Sequence, residues 1–157
     1  MSRLSPAKIY EDFKHNKLDK SKASDLLISL IENVIEKDSK SQILIIRLLG
    51  LINSKEIKVF RFLENLLISD LNDYVRGTAG FVIIENFPYK AFEPIKWALS
   101  YEKSEICLNI ILKALEKTNV SNLKTLLKKF IYVRFNDKVY FPSEKHSILY
   151  LHNKNID

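Results

Sequence analysis

A stretch of this chain repeats itself 32 residues further on without a gap. Leu30-Ile31-Glu32-Asn33-Val34-Ile35 realigns on Phe62-Leu63-Glu64-Asn65-Leu66-Leu67, and Asp38 falls on Asp70. A weaker third copy follows at Pro94-Ile95-Lys96-Trp97-Ala98-Leu99, where the apolar positions 63, 66 and 67 become 95, 98 and 99. Self-similarity at such a period constrains architecture strongly, because one helix pair cannot bury its own apolar face and must lean on a neighbouring copy. The expected fold is mainly α: about three helix pairs with flanking helices.

Punctuation along the chain places the helices. Ser5-Pro6 pairs an N-cap with proline at the first helical position, predicting a short helix over 6–15 with Ile9, Tyr10 and Phe13 on its apolar face. Asp19 caps the next, whose Ala23, Leu26, Leu27, Leu30, Ile31, Val34 and Ile35 form an amphipathic stripe. Residues 42–53 follow as a helix apolar almost all round. A second pair is expected over 55–69 and 73–87, stopped by Pro88, and a third over 90–101 and 104–117. Ser121 then caps a closing helix to residue 130, with Leu123, Leu126, Leu127 and Phe130 facing inward.

Asp73-Tyr74-Val75-Arg76-Gly77-Thr78-Ala79 resembles the HEAT-repeat signature, in which an Asp-x-Val-Arg-x-x-Ala string opens the second helix of each pair. In physical terms Asp73 caps the helix, Val75 and Ala79 face the core, and Arg76 reaches a carboxylate in the turn of an adjacent repeat. The motif is spelled in full once. Ser39 to Ile46 lacks the Val-Arg pair, and Ser104-Glu105-Ile106-Cys107-Leu108 keeps only the apolar character. Over residues 20–130 the resemblance implies a right-handed α-α superhelix, a HEAT-like solenoid, of a kind that mostly binds other proteins as a scaffold.

The last quarter changes period. Ile131 to Phe135 alternates, Asn136-Asp137 suits a two-residue turn, and Lys138 to Phe141 alternates again before Pro142, which predicts a β-hairpin. Ser147 to Leu151 supplies a possible third strand. The expected organisation is thus a helical repeat domain over 1–130 and a strand-forming extension over 131–157 that caps it. Leu149-Tyr150-Leu151-His152-Asn153-Lys154-Asn155-Ile156 resembles the strand segment of a leucine-rich repeat, with Lys154 where the ladder asparagine would stand. That resemblance implies either a cap or the remnant of a leucine-rich array.

Little in the sequence carries chemistry. His15, His146 and His152 lack partners at metal or catalytic spacing, and Cys107, the one cysteine, lies on an apolar helix without a nearby histidine. Gly50, Gly77 and Gly80 build no phosphate-cradling loop, and Gly77, Ala79 and Gly80 instead suit close helix approach. Acid pairs such as Glu32 with Glu36 read as caps and solvated faces, and Trp97 with Tyr101 as a core edge. No enzyme, cofactor or metal is expected. No basic-then-apolar leader opens the chain, and a lone cysteine suits a reducing compartment, so the expected location is cytoplasmic.

Charge is distributed unevenly. The net +6 belongs to the two ends, while residues 25–119 hold twelve Lys and Arg against thirteen acids. Within the pairs, the first helices hold five, six and five charges and the second helices one, two and four. In HEAT-like proteins the second helices line the concave face. The resemblance therefore makes Leu44, Arg47, Leu48, Arg76, Phe81, Ile84, Asn109 and Lys113 the partner-binding residues, with Ile45 and Leu112 on the same face. An apolar face of that extent needs a cover, either the chain's own closing segments or another molecule. The expected function is a non-enzymatic protein-interaction scaffold, possible self-association included, without membrane insertion. The alternative is an acidic or nucleic-acid partner held by Lys124, Lys128, Lys129 and Arg134 with the N-terminal lysines.

Overall fold

The computed structural model describes residues 4–33 and 38–136, and these form helices joined by short turns. Capping chemistry sets most of the starts. Helix α1 (Pro6–Lys14) begins where the Ser5 hydroxyl accepts the Lys8 N–H at 3.3 Å, and α2 (Lys20–Glu32) where Asp19 accepts the Lys22 N–H at 2.8 Å. Asp38 accepts the N–H groups of Lys40 and Ser41 to start α3 (Ser39–Ile52), which ends on Asn53 in the left-handed region, φ 53°. Then come α4 (Ile57–Ser69) and α5 (Asp73–Asn86). The cap of α5 is Asn72, accepting the Val75 N–H at 3.2 Å, and not the expected Asp73, which occupies the first turn beside the positive end of the helix dipole. Helices α6 (Phe92–Tyr101), α7 (Glu105–Lys117, capped by Ser104) and α8 (Ser121–Asn136) complete the order.

Packing follows sequence order. The second helices α3, α5 and α7 lie side by side, α4 packs on both α5 and α6, and α8 rests on α6 and α7. Helix α1 closes one end by packing on α2 and α3. One continuous core results, with Leu27, Ile46, Leu49, Leu63, Ile83, Ile95, Ile111 and Leu115 fully buried. At about 25 cal/mol per Å² of apolar area, side chains of this size contribute roughly 1.5–3 kcal/mol each before entropy is counted.

Two glycines explain how closely α5 approaches α7. A Cβ on Gly77 would stand 2.8 Å from Ile110 Cδ1 and 3.2 Å from the Cys107 Cα, and one on Gly80 2.9 Å from Ile111 Cγ1. The expectation of a close helix approach at Gly77 and Gly80 is met, and α7 is the neighbour.

The expected strand over residues 131–135 is helical, because α8 runs on to Asn136. Neither glycine nor proline interrupts it, and extending a formed helix adds one hydrogen bond per residue fixed. Phe130 and Ile131 pack against the core, and the Arg134 guanidinium stacks 4.9 Å from the Phe130 ring, a pairing that the helical spacing of four residues creates. The division at residue 130 therefore falls inside a helix, and no strand occurs among the described residues. The remaining expected strands, 138–141 and 147–151, lie outside the described residues.

Candidate functional site

Burial separates the residues expected to bind a partner. Ile84 and Leu48 are core, at 2% and 7% exposure, as are Ile45 and Leu112. Phe81 and Asn109 are half-buried, whereas Leu44, Arg47 and Lys113 are exposed. On α3 the exposed residues are Lys40, Ser41, Leu44, Arg47 and Leu51, of which Lys40, Leu44, Arg47 and Leu51, spaced four, three and four apart, form one helical stripe. Counting from the caps Asp38, Asn72 and Ser104, the same stripe on α5 is Tyr74, Thr78, Phe81 and Glu85, and on α7 Ile106, Ile110, Lys113 and Lys117. Leu44, Leu51, Tyr74 and Ile106 are 45%, 62%, 51% and 38% exposed, so large apolar groups from three adjacent helices share one outward face.

Arg76 belongs elsewhere. Its Nε donates to Glu102 Oε2 at 2.7 Å and its Nη2 to Oε1 at 3.0 Å, while Nη1 donates to the carbonyls of Asp70 and Leu71. This is the expected reach of Arg76 to a carboxylate in the adjacent turn. Arg76, expected to bind a partner, has its donors engaged within the chain. Glu102 Oε1 also accepts the Lys103 and Ser104 N–H groups at 2.9 and 2.8 Å, and the Ser104 hydroxyl donates to Asp73 at 2.7 Å. Burial pushes the Glu102 carboxyl up, but Arg76, the Ser104 N–H and the Cys107 thiol together outweigh it and bring it down to about 2. Burial, and then the bond to Glu102, push the Cys107 thiol up to about 12, so it stays protonated and is a poor nucleophile at neutral pH.

Gln42 is the counterpart of Arg76 one pair earlier, four residues past its cap, and its amide reaches Asp70 at 3.4 Å. Asp70 and Glu102 each terminate the first helix of their pair, so a polar clamp on a carboxylate recurs at both junctions, with an uncharged amide donor at one and a guanidinium at the other. Leu108, at the matching position of α7, is buried and apolar.

Of the basic residues on α8, Lys124, Lys128 and Lys129 are exposed, and Arg134 is half-buried over Phe130. Trp97 and Tyr101, expected at a core edge, are both exposed, with ring centroids 5.5 Å apart. Among the described residues no group of His, Cys, Asp and Glu gathers closely enough to hold a metal ion, and no helix is long and apolar enough to cross a membrane.

Lys40, Leu51, Tyr74, Ile106 and Lys117, exposed on this face, are not among the residues expected from the sequence. The cap residues carried the signal, since the starts of α3 and α5 are 34 residues apart and those of α5 and α7 are 32 apart. A uniform 32-residue step slides α3 two positions out of register, enough to exchange exposed for buried positions. Comparison with protein-family models, with curated proteins and with solved structures returns no match for this chain.

Proposed function

We propose that this chain is a HEAT-like scaffold, a right-handed α-α superhelix whose outward stripe of second helices binds protein. Support for the repeat comes from the side-by-side second helices and from the paired clamps Arg76–Glu102 and Gln42–Asp70. The observation that carries the binding reading is the shared exposure of Leu44, Leu51, Tyr74 and Ile106. Single exposed apolar side chains need no explanation, but a face built from three successive helices is the pattern of an interaction surface. No catalytic role is assigned. A cytoplasmic location belongs to the same proposal, supported by the reduced, buried Cys107.

The test is a selection of displayed random peptides of about 16 residues, long enough to cross three helices as a helix. Peptides selected on the full chain should lose about tenfold or more in affinity for Leu44→Glu/Tyr74→Glu. Equal binding to both proteins would sink the reading. Measuring solution mass at two concentrations shows whether the bound protein is a second copy. The exposed Lys124, Lys128 and Lys129 support a second reading, an acidic or nucleic-acid partner on α8. That reading requires duplex binding that weakens steeply with salt and fails in Lys124→Glu/Lys128→Glu.

A further inference from the structure

We propose that the segment held on the second-helix face is an acidic amphipathic helix. This rests on reading that face as protein-binding and adds the chemistry of the partner. The central helix of the face, α5, offers Tyr74 and the half-buried Phe81. At the position matching Phe81, the helices on either side carry Arg47 and Lys113, both exposed. Lys40 and Lys117 stand at diagonal corners of the same face. Glu85 is its one carboxylate across the three matched stripes. Among the described residues, no ion pair joins Lys40, Arg47, Lys113 or Lys117 to an acid. An aromatic floor between exposed cations is complemented by a ligand with an apolar centre and negative flanks.

The same arrangement ranks other occupants. A second copy docked about a two-fold axis would set Arg47 and Lys113 against the same cations, and such juxtaposition costs affinity. A phosphate backbone would satisfy the cations but place charge over Leu44, Leu51 and Ile106 and oppose Glu85. An acidic helix avoids both conflicts. Neighbouring packed helices lie about 8–10 Å apart, so the Arg47 and Lys113 positions are separated by roughly 20 Å across α5. A helix rises 1.5 Å per residue, so carboxylates about 11–14 residues apart match that span, with apolar groups between them over Phe81.

The peptides that prefer the wild-type full chain over Leu44→Glu/Tyr74→Glu are sequenced, synthesised and titrated. The expected result is net-negative peptides with an apolar stripe, whose Kd rises about tenfold or more on Arg47→Glu/Lys113→Glu. Exchanging the peptide's flanking acids for lysine should then restore binding to that charge-reversed protein. Neutral or basic peptides, or a Kd within about twofold on charge reversal, overturn the acidic partner and leave the protein-binding face standing. Peptides indifferent to Leu44→Glu/Tyr74→Glu, failure to enrich any peptide, or displacement of the peptides by duplex DNA at physiological salt overturn both.

Discussion

Glu102 shows how one side chain joins two helix pairs. It terminates α6, receives two N–H groups from the turn leading to α7, and holds the guanidinium of α5 in a bidentate pair. A carboxyl held at about 2 in the folded chain, against an ordinary 4.5, binds its proton more weakly when folded than when unfolded. Its contribution is therefore fully present above about pH 4.5 and is lost as the pH falls towards 2, amounting to about 3 kcal/mol at neutral pH. Urea titrations should show wild-type stability falling steeply across that window, while Glu102→Gln is less stable at pH 7 and flatter below pH 5. Parallel pH profiles for the two proteins would refute this account.

Between elements, the seam of α5 with α7 is set by what is missing from Gly77. Alanine raises intrinsic helix propensity by up to about 1 kcal/mol, which alone would stabilise α5. The added methyl, however, would stand 3.2 Å from a backbone carbon of α7, and overpacking of this kind costs about 1–3 kcal/mol. Gly77→Ala should thus lower the urea midpoint, whereas Gly50→Ala, whose nearest neighbours are side-chain atoms of Val82 from 3.1 Å outwards, should change it less. A Gly77→Ala midpoint at or above wild type would show that the helices can part freely. The helices themselves were legible in Ser5-Pro6, Asp19 and the apolar stripes, because caps and periodicity are local. The strand expected after Phe130 failed because alternation in Ile131 to Phe135 also fits a helix whose inner side carries Phe130, Ile131 and Arg134. The 32-residue step matches the helix ends of the second and third pairs, Asn72 to Ser104 and Asp70 to Glu102. Buried Ala23, Leu27 and Ile31 of α2 answer Val59, Leu63 and Leu67 of α4 at 36 residues, and an i, i+4 stripe matches itself almost as well one turn away.

For the whole molecule, the site was legible in composition before it was legible in position. A shortage of charge marked the second helices, but it does not distinguish an interior from an outward apolar face, since both are poor in charge. Burial makes that distinction between Leu44 and Ile84, which the sequence placed on one surface. Ile84→Glu would put a carboxylate into the core between α5 and its neighbours, costing about 5 kcal/mol or more, comparable to the entire stability of many domains. Leu44→Glu changes a side chain already 45% exposed and should cost less than about 1 kcal/mol. Circular dichroism and gel filtration should therefore find Leu44→Glu folded and wild-type in size, and Ile84→Glu unfolded or aggregated. A folded Ile84→Glu would return Ile84 to the binding face. Unfolding of Leu44→Glu would mean that the chain covers this face with its own residues. The cations around it would then answer internal acids and not those of a partner.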